Sequence, residues 1–529
     1  MPAIVTDQFR ILNASNFVDS VTNTSNSYYV FLGLPNPTAT GFGRNANWDT
    51  ENNTPSPIDN YDYISNYREN MLFGKKIVSD NVKRVVRKVD WVANKTYDMY
   101  RHDYSSSNPT PNSGLSRLYD SNFYVVNSDY RVYICIDNGS SVDLPSGKAS
   151  RDEPTFTDLE PSAAGTTGDG YVWKYLFSIS PSDIIKFDST EYIVLPNNWE
   201  SSTNSQIQTI RESGNSDLNQ NQIKKVYIDN AGSGYGVDRE VECDIIGNGT
   251  GGKVLVEVSG GKIVNTTVTS GGRGYTYGTV DLKSLRSVEP SSQAGQDANM
   301  VAAKLIPIIP PSKGHGYDIY TELGADRVLI YARFDNSNKD FPIDAKFSQV
   351  GILKNPKIYS ANEDSDTVYT FNQFSSLGAI KFAGTPTTIP TPGSLITQTV
   401  TGGTAKAYVA SYDSLTKVLK YYRDRSLTYA NSIDQTDTED ISAEFDFVSG
   451  GNNIFIDGTV FGSIDTSFGT ASVPVSKDSN DVDLGTTFIE GLSNPEINRK
   501  TGDIIYIDNR TSVTRDPRQK EDVKIILEF

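Results

Sequence analysis

Short β-prone segments recur along the whole chain and are separated by stretches rich in Gly, Ser, Pro and Asp. Residues 124–137 (YVVNSDYRVYICID) predict a pair of strands, and residues 170–196 are the most aromatic part of the chain. With 42 Gly, 30 Tyr and 22 Phe, the composition suits sheets and tight turns better than long helices. The sequence therefore predicts a mainly β (α+β) protein with a few short helices, and both segments are expected in its central sheet.

A helix followed by a buried strand is predicted at the start of the chain. Residues 5–21 place Phe9, Leu12 and Phe17 near the spacing of one helical face. Residues 27–33 (SYYVFLG) then form an apolar run typical of a strand.

The length of 529 residues exceeds what one hydrophobic core usually supports, so about three or four domains of roughly 150 residues each are expected. A polar stretch after Trp199 and a Pro-rich joint at 307–311 mark changes in composition. We predict a multi-domain, β-sandwich-like core that is interrupted by two small β domains. The predicted core segments are 1–203, 311–359 and 495–529, the first insertion is 204–310, and the second, barrel- or sandwich-like insertion is 360–494.

The first insertion contains an internal repeat. Ala-Gly-Ser-Gly-Tyr at 231–235 recurs forty residues later as Gly-Gly-Arg-Gly-Tyr at 271–275, and each copy follows an alternating strand. We call these two copies the Gly-Tyr turns, since glycine permits the positive φ angles that tight turns need. Tyr235 and Tyr275 are predicted to pack in the core, and the alternative is that their rings stack on a ligand.

The charge of the chain argues against nucleic-acid binding. The formal net charge is -17, whereas affinity for a polyanion comes largely from Lys and Arg. No run approaches the roughly 18 apolar residues of a membrane span, and residues 1–20 lack the apolar stretch of a signal peptide. We therefore expect no nucleic-acid partner and no membrane insertion.

Signatures of catalysis and of cofactor binding are missing. The chain has two His, and Cys135 and Cys243 lie in apolar, strand-like runs that predict buried, reduced side chains. Residues 247–252 satisfy GxGxxG, but a strand-like run (KVLVEV) follows where a dinucleotide site needs a helix. A hairpin turn is the favoured interpretation, and we expect no enzyme activity, cofactor or metal.

Residues 75–91 (KKIVSDNVKRVVRKVDW), here called the basic segment, mix Lys and Arg with Val and Ile. One interpretation is a contact patch for an acidic partner. The favoured one is the solvated face of strands whose valines point inward.

Two motifs resemble a known family. Residues 168–177 (GDGYVWKYLF), followed by 191–196 (EYIVLP), are similar to the baseplate wedge subunit called gene product eight in T-even-type myoviruses. Residues 502–510 (GDIIYIDNR) resemble the C-terminal part of that family. Weaker similarity at 341–357 and at 5–10 (VTDQFR) extends the resemblance to about half of the chain.

The resemblance implies a structural, non-enzymatic protein of the virion tail baseplate that is assembled in the host cytoplasm. It implies a β-rich core, a homodimer and contacts with other baseplate wedge proteins, while both insertions depart from the family pattern. Tyr171, Trp173, Asn509 and Arg510, with Arg515 in the following charged loop, are candidate interface or fold-motif residues. Burial is expected for Trp173, and an ion pair between subunits is expected for Arg510.

Two other functions stay open at this point. The inserted β modules could bind glycans or a host surface, with Tyr235 and Tyr275 as candidate contacts, because aromatic rings stack on sugars. A glycosidase that uses two carboxylates is supported only by the acidic composition.

Overall fold

The computed structural model describes residues 6–33, 54, 56–60, 64, 67–213, 222–286, 300–335, 346–360, 365–386, 388–423, 445–474, 481–514 and 520–529. The described chain is mainly β and is built of antiparallel sheets, which confirms the predicted fold class. It divides into two compact units. The first consists of Met1–Val18, Lys83–Leu329 and Ile526–Phe529, and the second of Asp19–Val82 and Ile330–Ile525.

The helices among the described residues are short, apart from the first. They are α1 Asp7–Thr22, α2 Pro181–Phe187, α3 Ser205–Ser213, α4 Lys283–Arg286 and α5 Ile319–Leu323, with single 3₁₀ turns at Ser79–Asn81 and Leu118–Asp120.

The strands, in chain order, are β1 Tyr28–Gly33, β2 Met71–Ile77, β3 Val82–Arg87, β4 Tyr124–Val126, β5 Arg131–Asn138, β6 Ser162–Ala163, β7 Tyr171–Ser178, β8 Tyr192–Val194, β9 Val226–Asn230, β10 Arg239–Gly247, β11 Thr250–Ser259, β12 Lys262–Arg273, β13 Gly278–Val280, β14 Lys304–Pro307 and β15 Arg327–Phe334. They continue with β16 Lys346–Lys354, β17 Lys357–Ile358, β18 Gln373–Ser375, β19 Gly378–Lys381, β20 Leu395–Val400, β21 Gly403–Asp413, β22 Val418–Tyr422, β23 Ile454–Ile456, β24 Thr459–Gly462, β25 Ser472–Pro474, β26 Asp481–Asp483, β27 Leu492–Ser493, β28 Ile497–Asn498, β29 Asp503–Thr514 and β30 Glu521–Glu528. A four-stranded sheet has the order β30-β15-β3-β8.

The central sheet of the first unit has the order β4-β5-β7-β6. Strands β5 and β7 pair antiparallel with Cys135 opposite Trp173, and both of these side chains are buried. This sheet contains the predicted strand pair at 124–137 and the first half of the aromatic segment at 170–196. Its side chains pack in the largest hydrophobic cluster of the first unit.

The second half of the aromatic segment was predicted as strand, and that prediction was wrong for α2. Ser180 caps the helix, since its side-chain oxygen accepts the backbone N–H of Asp183 at 3.2 Å, and Pro181 occupies the first helical position. A capping Ser followed by Pro is a strong helix start, because the N–H groups of the first turn lack helical partners. The Ser oxygen accepts one of these N–H groups, and Pro has no N–H that needs a partner.

Helix α1 confirms the predicted N-terminal helix, but its buried face is not the predicted one. Ile11, Ala14 and Val18 are buried, whereas Phe9 and Leu12 are exposed. The spacing of three and four residues between the buried side chains is the spacing of one helical face. The sequence prediction was based on the larger apolar side chains, Phe9 and Leu12, which lie on the exposed face of the helix.

The described residues between 226 and 307, which fall in the segment predicted as the first insertion, form two small sheets with the orders β12-β11-β10-β13 and β14-β9. Their side chains make a hydrophobic cluster that contains Tyr235, Cys243 and Tyr275. Both cysteines of the chain are free and buried, as predicted.

The second unit contains a five-stranded sheet with the order β18-β2-β1-β16-β29 and a seven-stranded sheet with the order β24-β23-β20-β21-β22-β19-β27. Strand β1 is buried along its whole length: β2 and β16 pair with it on both sides, and Tyr29 and Phe31 pack in a hydrophobic cluster. This confirms the buried strand predicted at residues 27–33. The seven-stranded sheet is antiparallel throughout, and its strands lie between residues 378 and 493, in the segment predicted as the second insertion.

Candidate functional site

The family motif on β7 lies in the core of the first unit. The Tyr171 hydroxyl accepts the Tyr97 backbone N–H at 2.9 Å and donates to the Lys148 carbonyl at 2.7 Å. The Trp173 ring stacks on Tyr171 with centroids 5.3 Å apart, and the edge of Tyr97 faces it. Burial raises the pKa of the Tyr171 hydroxyl, which stays protonated and able to donate. Neither ring has a surface available to a partner, so the motif maintains the fold.

The two Gly-Tyr turns share one local structure. Gly232 and Gly272 have φ angles of +64° and +59°, in the region that favours glycine. A Cβ atom at either glycine would lie 2.7 Å from Cε2 of the tyrosine three residues later. Each tyrosine ring therefore folds back over its glycine, and a larger residue cannot occupy that position without moving the ring.

The hydroxyls of these tyrosines bind neighbouring backbone. Tyr235 accepts the N–H of Ala303 at 2.8 Å, and Tyr275 accepts the N–H of Gly252 at 3.1 Å and donates to the Ile245 carbonyl at 2.8 Å. Both side chains are buried, which is the interpretation that the sequence favoured. A buried ring offers no face to a glycan.

The ring of Tyr275 also explains the GxGxxG pattern at residues 247–252. Residues 247–252 form the hairpin between β10 and β11, as predicted. A Cβ at Gly249 would lie 2.4 Å from Cγ of Tyr275, and one at Gly252 would lie 2.8 Å from its hydroxyl oxygen. The glycines thus make room for an aromatic ring, and the strand β11 follows them where a dinucleotide site has a helix.

A group of polar residues that the sequence analysis missed joins the first insertion to the preceding segment within the first unit. Arg101 is buried, binds Asp103 through two hydrogen bonds of 2.9 and 2.7 Å, and lies 4.1 Å from the centroid of the Tyr227 ring. The neighbouring His102 accepts the Ile309 backbone N–H through Nδ1 at 3.1 Å. Burial lowers the pKa of His102, so the neutral, accepting imidazole is favoured. No local motif predicts the contacts with Tyr227 and Ile309, since both residues are distant in sequence.

The basic segment is largely occupied by contacts within the chain. Arg84 is buried, donates to Ser15 Oγ at 2.8 Å and stacks 3.8 Å from the centroid of the Tyr320 ring. Arg87 donates to Asn122 Oδ1 at 2.9 Å. The predicted solvated face is therefore wrong for Arg84, because a guanidinium can be buried when its N–H groups and its planar face both find partners.

In the part of the chain that the structure describes, β29 is an edge strand of the five-stranded sheet and pairs with β16. Asn509 lies opposite Gln349 and accepts its side-chain N–H at 3.1 Å, and the register shifts beside this pair. Arg510 is 66% exposed and its Nε lies 2.7 Å from an Asp508 oxygen. Arg515 lies outside the described residues.

Among the ranges that the structure describes, no three His, Cys, Asp or Glu side chains are grouped so that they could hold a metal ion. No helix in those same ranges is long and apolar enough to span a membrane.

The comparisons with known proteins place the match on the central sheet of the first unit. Residues 133–233 match a family model described as "Bacteriophage T4, Gp8". That range begins in β5 and contains β7 with its buried Tyr171 and Trp173. The fold is therefore that of a mainly β protein, and its central sheet is similar to the phage Gp8 family.

A curated protein to which this chain is similar is the baseplate wedge protein gp8 of Enterobacteria phage T4. It is 26% identical over 219 residues, which cover 37% of this chain and 60% of that protein. The chain thus spans less than two thirds of the curated relative. Both comparisons agree with the resemblance that the motifs carry.

Proposed function

We propose that this protein is a structural, non-enzymatic wedge subunit of a phage tail baseplate, which forms a homodimer and links neighbouring wedge proteins. The observation that carries the proposal is the family match over 133–233, which falls on the buried central sheet of the first unit. A match on buried strands reflects a shared fold. The baseplate role is inferred from the similarity to the baseplate wedge protein gp8.

Arg510 is the residue that we propose for the contact between subunits. The pairing of β29 with β16 is irregular next to Asn509, as at a β-bulge. The next residue, Arg510, is therefore not part of the regular pairing between the two strands. Arg510 therefore projects from β29, which stands at the end of the strand order among the described residues, and its Nε donates to Asp508. An exposed guanidinium can exchange such a local partner for a carboxylate of a second copy, in a two-pronged geometry that favours specific pairing.

Protein partners suit this chain better than nucleic acid does. The net charge of -17 opposes binding to a polyanion, since such binding depends on Lys and Arg that neutralise phosphates. The buried Arg84 and Arg101 are moreover engaged within the first unit and cannot contact phosphates.

Light scattering of the purified chain, alone and with the other baseplate proteins of the same virion, tests the proposal. We expect a mass twice the 58.1 kDa of one chain and a larger complex after mixing. A mass that stays at 58.1 kDa over all accessible concentrations, with no complex after mixing, would reject the structural role.

A further inference from the structure

A groove with a volume of about 990 Å³ lies in the second unit, mainly within the second insertion. Its walls come largely from residues 358–359, 369–373, 446–449 and 483–496. The volume is in the range of sites that hold a small ligand or several side chains of a bound segment.

Three apolar side chains stand exposed in this groove. Phe371 is 65% exposed, Val448 is 48% exposed and Ile489 is 74% exposed. Single exposed apolar residues are ordinary on protein surfaces, but several that line one concavity are typical of a binding site.

The backbone that carries two of these side chains is held in place by buried or partly buried groups. The Tyr29 hydroxyl donates to the Phe371 carbonyl at 2.8 Å, and the Val448 N–H donates to Gln398 Oε1 at 2.8 Å. The exposed side chains are thus presented from a fixed frame, which lowers the entropy lost when a partner binds.

The third side chain stands on a tight turn with an unusual backbone. Ile489 and Leu492 exchange backbone hydrogen bonds of 2.8 and 3.0 Å, and Glu490 and Gly491 between them have φ angles of +49° and +80°. The Gly491 N–H also donates to the Phe468 carbonyl at 2.8 Å. A non-glycine residue with positive φ is unfavourable and persists where its surroundings fix it, often at binding sites.

The charges around the apolar side chains are all negative. Asp446, Asp483, Glu490 and Glu496 line the groove, and no Lys, Arg or His among the described residues does so. Asp446 and Glu496 have partners within the chain. Asp483 and Glu490 have no cationic partner in the described part of the chain, so their charges are available to a bound molecule. We call this site the acidic groove.

We propose that the acidic groove binds a segment of a partner protein that presents apolar side chains next to Lys or Arg. Apolar side chains would pack on Phe371, Val448 and Ile489, while the basic groups would pair with Asp483 and Glu490. The proposal rests on the proposed function for the source of the partner, which is a neighbouring baseplate protein.

The chemistry of the groove favours a peptide over the other occupants. Sugars stack on flat aromatic faces, and Phe371 is the one aromatic among the three exposed apolar side chains of the groove. The other two, Val448 and Ile489, are branched aliphatic side chains that pack best on other apolar side chains. A second copy of this chain is not the proposed occupant, because the proposed dimer contact is at Arg510, which does not line the groove.

Fluorescence anisotropy with labelled peptides tests the acidic groove on the full chain. The probes are short peptides that together cover the sequences of the other tail proteins of the same virion. We expect the bound peptides to combine apolar residues with Lys or Arg, and their affinity to fall as NaCl is raised. Ile489→Ser and Glu490→Lys should each weaken binding about tenfold or more.

Ile389→Ser is the matched control, because Ile389 is 75% exposed in the same insertion and does not line the groove. It should leave peptide affinity unchanged, and all variants should keep the wild-type mass. Binding that ignores Ile489→Ser and Glu490→Lys would overturn the proposal, as would binding of glycans in place of peptides. If the chain dimerises and assembles but binds no peptide, the groove proposal fails and the proposed function stands. If peptides bind but the chain neither dimerises nor assembles, the groove proposal stands and the proposed function fails.

Discussion

At the residue scale, the hydroxyl of Tyr275 stabilises the first insertion by binding two backbone groups. Tyr275→Phe removes the group that accepts the Gly252 N–H and donates to the Ile245 carbonyl. Two buried backbone groups then lose a partner, and we expect the insertion to be destabilised by about 1–3 kcal/mol. Hydrogen exchange of peptides from β10 and β11 should show faster opening.

Tyr277→Phe is the control for this substitution, because Tyr277 stands two residues later and is exposed. Its exchange pattern should match the wild type. Equal protection of β10 and β11 in Tyr275→Phe and in the wild type would contradict the structural role of the buried hydroxyl.

His102 should make the first unit sensitive to mild acid. Burial lowers its pKa below the ordinary value of about 6.5. The unfolded chain therefore takes up this proton more readily than the folded chain, and the free energy of unfolding falls as the pH drops through about 6.5. Protonation of Nδ1 would also remove the acceptor for the Ile309 N–H.

His102→Asn keeps an acceptor near the position of Nδ1 but does not titrate. Calorimetry between pH 7.5 and 5.5 should show that the wild type loses more thermal stability than this variant, on the scale of about 1 kcal/mol per unit of pKa shift. Parallel losses in both proteins would mean that His102 carries no share of the pH dependence.

Residue roles could be predicted from the sequence only where local pattern decides them. Trp173 and the two repeat tyrosines lie in alternating strands or glycine turns, which indicate burial. Arg84 gave no such signal, because its burial depends on Ser15 and Tyr320, which are far away in the chain.

At the element scale, the hairpin between β10 and β11 depends on the absence of a side chain at Gly249. Gly249→Ala would place Cβ 2.4 Å from Cγ of Tyr275 and 2.6 Å from the Arg273 carbonyl oxygen. Neither a buried ring nor a backbone carbonyl can move freely, so we expect a loss of about 1–3 kcal/mol, seen as faster hydrogen exchange in β11 and β12.

Gly384→Ala provides the comparison, since a Cβ at Gly384 would meet nothing within 4 Å. This change should leave stability unaltered or raise it slightly, because alanine restricts the unfolded chain. If Gly249→Ala behaved like Gly384→Ala, the packing account of the GxGxxG pattern would be wrong.

Elements were predictable where one signal dominated. The strands around 124–137 and the start of β7 have strong β-prone runs, whereas α2 was missed because its Ile and Phe residues also suit strands. The Ser180-Pro181 start was the better signal there, as capping is specific to helices.

At the scale of the whole molecule, each unit is assembled from segments that are far apart in sequence. In the second unit, the Tyr29 hydroxyl donates to the Phe371 carbonyl, 342 residues away. The motifs near both ends of the chain predicted a common family, but pairing over such separations leaves no local trace. The predicted bounds of the two insertions accordingly remain predictions.

The dimer proposed for this protein depends on Arg510, and reversing its charge is the sharpest test. In Arg510→Glu, a carboxylate would face the carboxylate that we expect on the second copy, so the dissociation constant of the dimer should rise about tenfold or more. Sedimentation equilibrium measures this directly. High salt should narrow the gap between wild type and variant, because it screens the exposed charges.

Lys304→Glu is the matched control, since Lys304 is also 66% exposed and also forms an ion pair within the chain, at 2.7 Å from Asp229. Both variants change the net charge by the same amount, so a general effect of added negative charge would weaken the dimer equally in both. A loss confined to Arg510→Glu assigns the contact to the outer edge of β29. Equal dimerisation of Arg510→Glu and wild type would instead place the contact on another surface and leave Arg510 with its local partner Asp508.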